Sequence, residues 1–109
     1  MTQIVENGVA KDQVAEQTLD IVATQTVAVG AASVASLAVN NLTHRVVLVS
    51  TTDCWIALGV LPVAAVGGAG SFLLPANAPS YPIKIVPGVT QVAAIQNALA
   101  GSLSVIESA

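Results

Sequence analysis

Beyond residue 23 the chain is a series of short apolar runs rich in Val, Ile, Leu and Thr, divided by Gly, Pro, Asn or Asp. Runs of that length with β-branched enrichment and turn residues at their borders predict strands. They fall at 24–29, 33–39, 44–50, 53–59, 71–74, 81–86, 90–96 and 102–107. Eight short strands in so short a body fit an all-β fold, an antiparallel β-sandwich or jelly roll, better than any helical arrangement. The borders carry the chemistry of turns: Gly30, Asn40-Asn41, Pro75 with Asn77 and Pro79, Pro87-Gly88 and Gly101. Pro87-Gly88 is the clearest, since proline presets a negative φ and glycine accepts the positive φ that follows. Pro82 lies inside one run, which makes that run an edge strand or one that begins after the proline.

Alternation within the runs assigns their faces. In 53–59, Cys54, Ile56 and Leu58 share one side, opposite Asp53, Trp55 and Ala57; in 102–107, Leu103 and Val105 oppose Ser102, Ser104 and Ile106. In 44–50 both sides are apolar, Val47 and Val49 on one and Val46 and Leu48 on the other. Antiparallel sandwiches normally solvate their outer faces. An outer face carrying Val46 and Leu48 therefore predicts a subunit contact and a homo-oligomer, with Trp55 as a further interface candidate because Trp is enriched at binding hot spots.

Charge separates the chain into two parts. Glu6, Lys11, Asp12, Glu16 and Asp20 lie in the first twenty residues, and the remainder carries only Arg45, Asp53, Lys84 and Glu107. The shift falls near residues 20 to 24, which divides the chain into an N-terminal arm, 1–22, extended or partly helical, and a sandwich domain, 23–109. Ordering ~20 arm residues costs on the order of 20–40 kcal/mol of backbone entropy. Offsetting that by apolar burial alone takes more than ~800 Å² at ~25 cal/mol per Å². The anchors Ile4, Val5, Val9, Val14, Leu19, Ile21 and Val22 cannot find that area among themselves, so the arm is expected to lie across a neighbouring subunit.

Composition excludes several classes. With 54% hydrophobic and 8% charged residues, the chain is the reverse of a disordered one. Three basic residues against six acidic ones, a net charge of −3, do not suit a phosphate backbone, so no nucleic-acid partner is expected. Such a body exposes more apolar surface than a monomer normally tolerates, and a bilayer or other protein subunits must cover it. The uncharged run 54–74 is long enough for a membrane helix. Pro62, Gly59, Gly67, Gly68 and Gly70 interrupt it, and no Lys or Arg anchors its flanks before Lys84. No basic region followed by an apolar run marks a secretory signal at the start. Subunits are the expected cover, with the membrane-associated protein spanning at 54–74 as the competing reading.

Catalytic chemistry finds little footing. His44 is the sole histidine and Cys54 the sole cysteine, so neither an internal disulfide nor a cysteine-based zinc site is available. Their separation does not place them side by side on one element, and Cys54 reads as a small buried hydrophobe. No G-x-S-x-G elbow is present. Gly67-Gly68-Ala69-Gly70 lacks the lysine of a phosphate loop and reads as a flexible hairpin tip. No enzyme, catalytic residue, metal site or cofactor is expected.

The ordered segments TTDCWIALG (51–59), SFLLPANAPSYPIKIVPG (71–88) and QVAAIQNALAGSLSVIE (91–107) resemble small structural proteins encoded among the virion genes of tailed bacteriophages. The resemblance covers roughly residues 44 to 107 and is a chain of short matches, departing in the leader and in the stretch 59–70. It implies a β-sandwich virion component, a capsid decoration or cement protein made in the host cytoplasm. On the capsid surface it would sit as a homotrimer and bridge subunits of the major capsid protein. A tail, neck or host-attachment module is the alternative within the same class.

Overall fold

The structure, a computed structural model, describes residues 20–109. It is all-β: β1 (Ile21–Val29), β2 (Val34–Ala35), β3 (Arg45–Ser50), β4 (Cys54–Gly59), β5 (Phe72–Leu74), β6 (Ile83–Lys84), β7 (Gln91–Gln96) and β8 (Gly101–Ser108). Each falls on one of the eight runs. They form two four-stranded sheets, ordered β1-β8-β3-β6 and β2-β7-β4-β5, and every strand pair within them is antiparallel. β1 starts at Ile21, two residues before the boundary expected at 23 and inside the stretch where the charge composition changes. The remainder of the leader, with the candidates Ile4, Val5, Val9, Val14 and Leu19, lies outside the described residues.

The alternation of β4 and β8 reads directly into the core. Cys54 and Ile56 join Leu74, Val92 and Ala94 on the inner face of one sheet, and Leu103 and Val105 join Val27, Val29, Val46 and Leu48 on the inner face of the other. Leu58, Ile83 and Ile85 close the margins of this cluster. Side chains at i and i+2 of a strand point the same way, so a single register across each sheet is enough to fill the interior.

The two shortest strands have local causes. Residues 33–39 run beside β7 but only Val34 and Ala35 pair regularly with it. After them the Ser36 hydroxyl enters the ladder, accepting from the Val92 amide at 3.0 Å while the Ser36 amide donates to Val92 O. A side-chain acceptor of this kind competes with the regular backbone pattern. In 81–86, Pro82 has no amide to give, and β6 begins immediately after it.

Two of the expected turns show their geometry. Gly88 has φ +79°, and the loop around it is closed by Thr90, whose hydroxyl donates to Val86 O at 2.9 Å. At 40–43 the Thr43 amide donates to Asn40 O and the Leu42 amide to Asn40 Oδ1. Gly101 answers a different demand. A Cβ there would lie 2.5 Å from Thr51 Oγ1 and 2.7 Å from Thr52 Cγ2, because the β3–β4 connection crosses the start of β8 at close range.

Candidate functional site

The expected subunit face on β3 has the opposite phase. Val46 and Leu48 are fully buried in the core between the sheets, so they are packing residues and not surface candidates. The outer side of β3 is formed by Val47, itself nearly buried, and half-buried Val49. Val47 lies opposite Ile106 and Val49 opposite Ser104. Alternation separates the two faces of such a strand but gives no sign of which is inner when both are apolar.

Residues with reactive side chains do not converge. β3 and β4 belong to different sheets, so they form no hairpin, and His44 and Cys54 flank opposite ends of the path through β3. His44 lies exposed, with Nδ1 3.1 Å from Leu42 O. Cys54 is buried in the core, and that burial raises its thiol pKa, aided by the Asp53 charge and only partly opposed by a hydrogen bond from Ser50. Its thiol stays neutral and enclosed, as a small hydrophobe would be. Asp53 Oδ1 accepts the Ala76 amide at 2.7 Å. Among the described residues no group of three His, Cys, Asp or Glu side chains could hold a metal ion. Residues 54–74, the competing membrane span, fold as β4, a loop and β5; no helix among the described residues is long and apolar enough to cross a membrane.

One carboxylate is enclosed by the sandwich. Glu107 follows Val105 on the inner face of β8 and is 1% exposed. Its Oε1 accepts the Asn40 amide at 2.8 Å and the Thr43 hydroxyl at 2.9 Å, and its Oε2 accepts Gln25 Nε2 at 3.0 Å. Gln25 in turn clasps the backbone of Leu37, donating to its carbonyl and accepting its amide. Burial alone would raise the Glu107 pKa, but the three donors outweigh it and hold the carboxyl below its ordinary range. The knot ties β1, β8 and the β2–β3 connection at one end of the sandwich. Strand alternation was the available signal, since 103, 105 and 107 share a face.

One surface open to a partner is apolar. Between β4 and β5 the chain folds over the outer face of its sheet: Ala64 packs there with Ala57, Ala93 and Ile95. The Ala64 amide donates to Ser33 Oγ and the Leu61 amide to Gln91 Oε1. These bonds pin the first half of the β4–β5 loop, and residues 67–70 follow as turns, with the Gly68 amide donating to Ala65 O and the Ser71 amide to Gly68 O. The loop presents Val60, Leu61, Val63 and Val66 outward, Leu61 at 79% exposure and with φ +53°. A branched residue in the left-handed region is uncommon and costs ~1–2 kcal/mol. Phe72 and Leu73 on β5 are also exposed; Phe72, opposite Ile56, points to the other side of the strand from Leu73, and both line an open groove of about 500 Å³ that also includes Pro79, Tyr81 and Ile83. Trp55 stands on the outer side of β4, directly opposite Leu73 and Ile95. It is half-buried, and its Nε1 donates to Asn97 Oδ1 at 3.0 Å.

Comparison with known proteins finds no matching family model, no matching curated protein and no matching solved structure.

Proposed function

We propose that this chain is a non-enzymatic virion protein of a tailed bacteriophage, which decorates the capsid as a homotrimer and stabilises it by bridging major capsid subunits. The single observation that carries the reading is the outward set of apolar side chains Val60, Leu61, Val63 and Val66, on a loop held by the Ser33 and Gln91 side chains. Apolar patches of this kind mark contact sites, and their burial against other subunits is non-directional and adds over every copy on a shell. The two-sheet sandwich agrees with the architecture expected of such proteins. Trp55 supports the same reading, as a large aromatic on that outer face with its polar edge already satisfied.

Two measurements test it. Size-exclusion with light scattering on detergent-free protein gives a discrete trimer, and Leu61→Ser with Val63→Ser lowers co-sedimentation with undecorated capsids while the far-ultraviolet spectrum stays native. A monodisperse monomer with no capsid affinity overturns the reading. Low-resolution imaging of particles carrying the protein locates it on the capsid, and its location on the tail or neck would move it to that part of the virion.

A further inference from the structure

Each sheet of a sandwich ends in two edge strands, whose outward N–H and C=O groups accept a further strand unless something blunts them. Three of the four edges here are blunted. β2 and β6 pair over only two residues each and β5 over three, with Pro75 directly after β5 and Pro82 and Lys84 at β6. β1 is the exception: nine residues, IVATQTVAV, with no charge, proline or glycine. Its one irregularity is the register shift between Ile21 and Ala23, which leaves the strand regular from Thr24 to Val29.

The ladders fix the direction of the groups on that edge. The Thr51 amide donates to Ser102 O, so in the register of β3 with β8 the even residues of β8 bond β3 and its odd residues bond β1. Gly101, Leu103 and Val105 accordingly take Val29, Val27 and Gln25. Thr24, Thr26 and Ala28 turn their backbone donors and acceptors away from β8, and no other described residue takes them. All three are exposed. On the inner side of the same strand, Gln25 holds the backbone of Leu37, donating to its carbonyl at 3.2 Å and accepting its amide at 3.0 Å. The Leu37 side chain is 79% exposed. This side of the sandwich therefore offers an uncharged ladder with an apolar side chain fixed against it.

We propose that the β1 edge docks the β1 edge of a second copy of this chain, the two strands running antiparallel about a two-fold axis at Thr26. The inference goes beyond the capsid reading and does not rest on it. Thr26 then lies opposite the second copy's Thr26, and Thr24 opposite its Ala28, so every outward residue of the regular stretch is paired, by about six hydrogen bonds. The edge suits itself as a partner. No charge opposes its like, threonine meets threonine on the outer face, and the two leucines at 37, each held at Gln25, come to the same side of the sheet about 7 Å apart along the ladder. Such a contact is smaller than the ~1,200 Å² of a standard interface. The pair accordingly forms at high protein concentration and leaves the oligomer of dilute protein to other contacts.

Thr26→Cys in the full-length chain tests the axis, since the native Cys54 is buried and does not compete. Opposed residues of a hydrogen-bonded pair lie ~5.5 Å apart at Cα, within the range that a disulfide spans. Under mild oxidation at millimolar protein, Thr26→Cys is expected to form a covalent dimer about tenfold faster than Ser104→Cys, Ser104 being exposed on the neighbouring strand β8. Amide exchange tests the occupant. Protection at Thr24, Thr26 and Ala28 is expected to rise about tenfold from micromolar to millimolar protein. Thr26→Lys and Leu37→Ser, both at exposed positions, each abolish that rise while the far-ultraviolet spectrum stays native. Equal cross-linking at 26 and 104, no rise in protection, or a rise that both substitutions leave intact overturns the proposal. Protection already complete in dilute protein also overturns it, because the edge would then be covered before any pairing at high concentration.

Discussion

Two regions of this molecule exchange the usual places of charge and grease. Inside, the Glu107 carboxylate is almost fully enclosed, and outside, on the β4–β5 loop, Leu61 and Val63 are more than two-thirds exposed. The interior charge is complete in itself, because three donors from β1 and the β2–β3 connection take the place of water. Fixed donors of that kind make a buried anion tolerable, and it becomes costly only when one of them is lost. The exterior leucine has no such compensation. The Gln91 side chain holds its backbone where a branched residue is strained, and among the described residues the side chain stays mostly uncovered. One region has its polar groups satisfied within the fold, and the other leaves apolar side chains open.

That contrast is most severely tested from the inside. Glu107→Ala leaves the Asn40 amide, the Thr43 hydroxyl and Gln25 Nε2 without their acceptor, and about 3–5 kcal/mol of unfolding free energy is expected to disappear in urea titration. A loss under 1 kcal/mol would mean that water replaces the carboxylate. Leu48→Ala removes a fully buried side chain and is expected to cost about 3 kcal/mol, whereas Val49→Thr, on the outer side of the same strand, stays within about 1 kcal/mol. If Leu48→Ala instead leaves stability intact and dissociates an oligomer, the assignment of faces is wrong.

Acid affects the knot more gradually. The folded-state pKa of Glu107 lies below its unfolded value, so its contribution is complete above the unfolded pKa and is lost as the pH falls through the folded one. Urea midpoints are expected to decline from the ordinary glutamate range downward. Glu107→Gln should flatten this part of the pH profile while lowering stability at neutral pH, because its amide would set a donor against Gln25 Nε2, whose own amide is committed to Leu37. A pH profile that Glu107→Gln leaves unchanged would place the titration elsewhere. The smallest effect is expected outside: Leu61→Gly relieves the positive φ and loses only exposed surface, so stability changes by about 0.5 kcal/mol or rises slightly. On the proposed function, that substitution should register instead in light scattering and in co-sedimentation with capsids.

Much of the fold was legible before any coordinates. All eight runs became strands because β-branched residues between turn formers leave few alternatives, and Pro82 and Gly88 act through dihedral limits that need no partner. The inner residues of β4 and β8 followed from an alternation in which only one side was uniformly apolar. β3 lacked that asymmetry, and Val46 and Leu48 were placed outward as a result. Trp55 was identified as a candidate, but its bond to Asn97 joins residues 42 positions apart, a separation no local pattern encodes. The Glu107 knot was missed for the same reason: its donors lie 64 to 82 positions away.

By itself, then, the sequence determined which segments extend, where they turn, and that the chain carries too little charge to solvate its apolar content. These are local or additive properties, fixed by dihedral preference and side-chain transfer from water. Only the tertiary structure decided which face of β3 is dry, that a carboxylate belongs inside, and that β1 lies at the edge of its sheet. Each of those depends on the register between strands distant in sequence, where a slip of one residue sends every side chain to the opposite face.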